Sequence, residues 1–168
     1  MVQEESAMTP DPRPEQCNCL AVRQAARHVT QFYDQYLAPS GLRSTQFSIL
    51  AKLKRLGPMS INALAADLVM DRTTLGRNIL PLQRDGLIAV VKGSTDRRSK
   101  ELRMTEAGAE SLRTAVKGWV EAQTQFEAVF GAKRAAGLRA LLHAVAASDL
   151  NAAVRAEAEP HTSHREHR

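Results

Sequence analysis

DRTTLGRNILPLQRDGLIAVVKGSTDRRSKELRMT, residues 71–105, is the stretch whose reading decides the fold. Leu75, Ile79 and Leu82 fall at +4 and +3, one face of a helix, and Asp71 stands where an N-cap belongs. Arg72, Thr73 and Arg77 lie on the other face, with side chains able to donate to phosphates or guanine edges. Gly86 stops the helix. Two short β-type runs follow, 87–91 and 101–104, joined by a polar hairpin holding Gly93, Ser94, Asp96, Arg97 and Arg98. A polar, basic helix followed by a hairpin with arginines at its tip predicts a winged helix-turn-helix. Its helix would enter the major groove of duplex DNA, and a wing arginine the adjacent minor groove.

Working outward, Ser60 caps a short helix over 61–69 with Ile61, Leu64 and Leu68 inward, and Val69-Met70 forms the turn before Asp71. Upstream, a helix over 45–56 is introduced by Ser44 as its cap. It buries Phe47, Leu50 and Leu53 and closes at Gly57-Pro58. Pro81 should kink the second half of the recognition helix, since its amide is missing and its ring crowds the carbonyl four residues back. The wing strand ends at Thr105, which caps another helix.

Long apolar stripes flank this lobe. Val22, Ala25, Val29, Phe32 and Tyr36 repeat at +3 and +4 in a helix over 16–37. Leu112, Val116, Trp119, Gln123, Phe126 and Phe130 do the same after Thr105, until Gly131 breaks the helix. A last helix over 132–153 carries Leu138, Leu141, Leu142 and Val145. The expected class is mostly α with a small β-wing. Its parts are a flexible arm 1–15, a dimerisation helix 16–43, a winged helix-turn-helix lobe 44–105, dimerisation helices 106–153 and a disordered tail 154–168. The long stripes exceed what a lobe of some 60 residues can cover, so packing against a second copy in a C2 homodimer is the economical solution. Such a dimer presents two recognition helices about 34–36 Å apart, suited to a pseudo-palindrome.

Charge placement agrees. Residues 43–103 hold 12 Lys or Arg against 5 Asp or Glu, a local excess of +7 in a chain of net charge +5, so the rest is slightly acidic at −2. That is the footprint of a duplex-binding surface. No apolar run reaches the roughly 18 residues of a membrane span, and the acidic, proline-rich N-terminus has no secretory h-region. A cytoplasmic location is the default expectation. There is no Gly-rich phosphate loop, HExxH or GxSxG, so no enzyme, cofactor or metal is expected. His161, His164 and His167 read as part of a solvated tail.

At these residues the chain resembles the MarR family, the multiple-antibiotic-resistance regulators. The resemblance runs over about 19–148. Its carriers are 42-LRSTQFSIL-50, 71-DRTTLGRN-78 and 85-DGLI-88, and the wing signature Asp96-Arg97-Arg98 with Thr105 nine residues after Asp96, then Ala107-Gly108. The tip Gly93-Ser94-Thr95 lacks the proline common there, and Met104 stands where Leu is usual. The resemblance implies a sequence-specific transcriptional regulator, a repressor released by a small aromatic or phenolic ligand. Arg98 would enter the minor groove, and Asp96 would orient the wing arginines. The DNA-contact set is Arg72, Thr73, Thr74, Arg77 and Asn78 on the helix, with Asp96, Arg97, Arg98 and Lys100 in the wing. Pocket candidates are His28, Phe32, Tyr36, Phe47 and Trp119. Of these, His28 is the least comfortable core residue. Cys17 and Cys19 sit at the start of the first long helix, where unpaired amides favour negative charge, and form a candidate redox pair. Too close along the chain for an easy internal bridge, they would join through an intersubunit disulfide. Two competing readings remain, a cysteine-based redox regulator of the same fold and a helical interaction module that does not bind DNA. Salt-dependent binding to duplex DNA separates the second from the rest.

Overall fold

The computed structural model describes residues 13–93, 100–150 and 152. Most of the N-terminal arm, the wing tip with Asp96, Arg97 and Arg98, and the tail with its three histidines lie outside the described residues. Two compact units divide the chain, Met1–Thr124 and Gln125–Arg168.

Helix α1 spans Asn18–Leu37 and is capped by Cys17, whose Sγ accepts from Leu20 N at 3.4 Å. A 3-10 turn, Ala38–Ser40, leads to Gly41, whose φ of 74° reverses the chain as a side-chain-free residue can. Helix α2 covers Ser44–Leu56. Ser44 is the first helical residue rather than its cap. Its N–H is satisfied from outside the helix by Asp34 Oδ1 of α1 at 2.7 Å, and Gln46 Oε1 reaches back to Arg43 N at 2.9 Å.

Strand β1, Met59–Ser60, has no counterpart in the sequence reading; two residues are too few to show alternation. Helix α3 is Ile61–Asp67, capped by Ser60 Oγ, which accepts from Ala63 N at 3.1 Å. It stops two residues earlier than expected because Val69 takes a left-handed φ of 52°, forming the turn into the next helix. Helix α4 spans Arg72–Arg84 and continues through Pro81. Strands β2, Ile88–Lys92, and β3, Lys100–Met104, form an antiparallel ladder, and β1 adds to the far side of β3 in the order β1-β3-β2. Helix α5, Glu106–Phe130, carries the boundary between the two units, and α6, Ala132–Ala147, is shorter than the expected 132–153. Among the described residues no helix is long and apolar enough to cross a membrane.

The core of the first unit joins Leu37, Ile49, Leu50, Leu64, Leu75 and Leu82, all at or below 1% exposure. The three apolar positions read from α4 are therefore its anchor: Leu75 and Leu82 at 0%, Ile79 at 3%. On α5 the inward face differs from the expected stripe. Leu112 of that stripe is buried, but its buried neighbours are Gly108, Ala115 and Ala122, whereas Val116 is 40% exposed. Small residues let α5 lie close to its neighbours. A Cβ on Gly118 would overlap the Tyr36 carbonyl of α1, and one on Gly108 the Leu87 carbonyl.

Candidate nucleic-acid interface and flanking cavity

The first turn of α4 is built by its cap. Asp71 Oδ1 accepts from Thr74 N at 2.8 Å, and Asp71 Oδ2 from the Thr74 hydroxyl at 2.5 Å. The Thr74 hydroxyl, then its amide, hold the Asp71 carboxyl below the usual carboxylate range. With Leu75, Ile79 and Leu82 buried, Arg72, Thr73 and Arg77 are left exposed, and neither arginine forms an ion pair among the described residues. Thr74 and Asn78 are committed differently. The Thr74 hydroxyl serves the cap, and Asn78 Nδ2 donates to the Thr74 carbonyl at 2.8 Å. Both hydrogen bonds stiffen the turn that displays the arginines.

In the wing, Lys100 is exposed at the start of β3, and its register partner is Lys92, exposed at the end of β2. Like charges directly opposite each other disfavour a strand pair unless an anion lies between or near them. Lys92 was not singled out from the sequence. Its signal there was the basic excess, but its pairing with Lys100 depends on the register. Asp96, Arg97 and Arg98 fall between these lysines, outside the described residues.

The wing and α4 are tied to α5 through Thr105. Its Oγ1 donates to the Gly86 carbonyl at 2.6 Å and accepts from Gly108 N at 3.0 Å, while its own N–H bonds the Leu87 carbonyl at 3.0 Å. One side chain thus caps α5 and fixes the exit of α4. On the other side of the lobe, the Asp34 carboxylate accepts from the Ser44 amide and hydroxyl, with Arg43 Nη1 at 3.7 Å.

Beside that joint lies a cavity of about 220 Å³. Helix α1 contributes Val29, Thr30, Tyr33 and Leu37, α2 contributes Ser44, Phe47 and Ser48, and α5 contributes Trp119. Phe47 and Trp119 stack with centroids 6.0 Å apart and planes at 18°. Of the sequence candidates the structure brings these two together. Phe32 and Tyr36 pack on each other at 5.1 Å and do not line the cavity, and His28 is exposed on α1. Tyr33, one residue beyond Phe32, faces it instead and donates its hydroxyl hydrogen to Gln123 Oε1. Both cysteines are exposed and free, as an oxidant-accessible pair would be.

Comparison with known proteins places this geometry. The model of the MarR family matches residues 42–100, from the start of α2's approach to the wing. A crystal structure of the M. tuberculosis transcriptional regulator MosR in complex with DNA is 37% identical. The match covers 80% of this chain and 100% of that one, with a TM-score of 0.68. Two curated relatives match over shorter stretches. The transcriptional activatory protein BadR of Rhodopseudomonas palustris is 38% identical over 71 residues. The HTH-type regulator YwoH of Bacillus subtilis is 31% identical over 85 residues. The chain spans 41% of BadR's length and 61% of YwoH's.

Proposed function

The chain belongs to the MarR family, and from that premise we propose that it is a DNA-binding transcriptional regulator, not an enzyme, acting on duplex DNA as a homodimer. The observation that carries the reading is the exposed face of α4, with Arg72, Thr73 and Arg77 displayed beyond an Asp71-capped first turn whose other side is locked in the core. Helix α4 lies in the major groove. The Lys92–Lys100 end of the wing approaches phosphates, and Arg98 at the tip reaches the minor groove. The operator is a pseudo-palindrome read by two copies. The cavity beside Ser44 and Trp119 holds a small aromatic or phenolic effector whose binding releases the DNA, making the protein a ligand-responsive repressor. A ligand acts this way only through unequal affinity for the two states. A tenfold loss of DNA binding requires about 1.4 kcal/mol of difference.

The test is binding to operator DNA across a salt series. Wild type should lose affinity steeply and linearly in log–log form. Arg77→Ala and Arg98→Ala should each weaken binding by about 10- to 100-fold at matched salt. Unchanged affinity in Arg77→Ala would remove α4 from the interface. Affinity indifferent to salt would favour the interaction-module reading.

A second reading is supported by the exposure of Cys17 and Cys19 at the N-terminus of α1. Peroxide would oxidise one thiol from each subunit to an intersubunit disulfide, being itself reduced to water, and fix the α1 helices in a non-binding arrangement. The Cys17→Ser/Cys19→Ser variant separates the readings. Release of wild type but not of this variant by peroxide, with no response to any aromatic effector, establishes the redox mechanism.

A further inference from the structure

The hydroxyl groups around the cavity have directions as well as positions. Tyr33 gives its hydrogen to Gln123 Oε1, Ser44 to Asp34 Oδ1, and Ser48 Oγ to the Ser44 carbonyl at 2.9 Å. A hydroxyl that has donated its hydrogen keeps only lone pairs, so these three groups can accept from a ligand but not donate to it. The remaining polar lining, the Thr30 hydroxyl and the Trp119 indole N–H, can donate but carries no charge. No Lys, Arg or His lines the cavity among the described residues. Arg43, adjacent to Ser44 in the chain, is 82% exposed and lies against Asp34, whose carboxylate accepts from the Ser44 amide and hydroxyl. A ligand carboxylate here would find two uncharged donors at most, three hydroxyls that offer only lone pairs and a nearby like charge, with no cation in the lining to offset its lost hydration. A ligand O–H or N–H would meet ready acceptors.

We infer that this cavity takes an uncharged aromatic hydrogen-bond donor, a phenol or aryl alcohol, in preference to the matching carboxylate. The inference rests on the effector-site reading above. Size agrees: about 150 Å³ admits benzene, so 220 Å³ holds one substituted ring, with the Phe47–Trp119 stack as its apolar wall.

Trp119 is the chain's single tryptophan, so its fluorescence reports on the cavity directly. The experiment titrates the full chain at neutral pH with two matched pairs, benzyl alcohol against benzoate and 4-hydroxybenzyl alcohol against 4-hydroxybenzoate, by fluorescence and calorimetry. Each alcohol should bind at least about tenfold more tightly than its carboxylate. In Asp34→Asn, shown by its melting curve to be folded, the carboxylates should gain affinity while the alcohols change little. Equal or tighter binding of the carboxylates to wild type would overturn the inference and leave the effector site standing. Neither heat nor quenching from any of the four, up to millimolar concentration, would overturn the effector-site reading with it. A carboxylate affinity unmoved by Asp34→Asn would overturn the role given to that charge.

Discussion

Three glycines show how single residues are held by different things. A Cβ on Gly108 or Gly118 would run into backbone carbonyls, of Leu87 and Tyr36, and backbone cannot rotate aside as a side chain can. Each Gly→Ala change should destabilise the fold by about 1–3 kcal/mol through overpacking. Gly76, in the middle of α4, meets nothing within 4 Å, and a helical glycine costs stability relative to alanine. Gly76→Ala should therefore stabilise the chain by roughly 0.5–1 kcal/mol, read from urea midpoints. The opposite sign at Gly76 would mean that the α4 backbone is packed more tightly than its open surroundings show. Asp71 supplies a pH test at the same scale. Its folded pKa lies below its unfolded one, so its contribution is complete above the unfolded value and disappears as pH falls through the folded value. The melting difference between wild type and Asp71→Ala should be constant near neutrality and shrink toward zero in strong acid. A difference that grew on acidification would contradict the cap.

At the scale of elements, the lobe is fixed to its flanking helices by two polar joints, Asp34 with Ser44 and Thr105 with Gly86 and Gly108. Thr105→Val keeps the shape and removes both side-chain bonds, leaving the buried Gly108 amide without its acceptor. The expected loss is about 1–2 kcal/mol in chemical denaturation, and a variant as stable as wild type would show the joint to be ornamental. Which elements were legible follows from what decides them. Helix α4 could be read outright because cap chemistry and the spacing of Leu75, Ile79 and Leu82 are local facts, and Thr105 announced its helix in the same way. The two-residue β1, the external capping of Ser44 by Asp34 and the Lys92–Lys100 pairing are set by partners distant in sequence, so no local pattern marks them. The cavity was half legible for the same reason. Phe47 and Trp119 stood out as aromatics, but the choice of Tyr33 over Phe32 turns on how α1 is rotated against α5, where the Gly118 crossing lets the two helices close. Large residues drew the expected stripe through Val116, whereas the close approach runs through Ala115, Gly118 and Ala122.

For the molecule as a whole, much of the apolar surface left uncovered among the described residues lies outside the DNA-binding lobe. In the unit Gln125–Arg168, Val129, Leu141, Val145 and Leu150 are 86%, 69%, 50% and 73% exposed, and α6 buries only Ala135. A chain gains by burying such side chains against a second copy, in line with the proposed dimer. Replacing Leu141 and Val145 with glutamate puts charges where an interface would strip their water. Because both positions are exposed within the chain, the lobe itself should fold as before, with an unchanged circular dichroism spectrum. Sedimentation should shift to the monomer. Operator affinity should fall by roughly 100-fold or more, since each half-site is then bound without the other raising its local concentration. Binding to an isolated half-site should be unaffected, which separates lost pairing from a damaged α4. A double variant that sediments as a dimer would place the interface elsewhere on the chain.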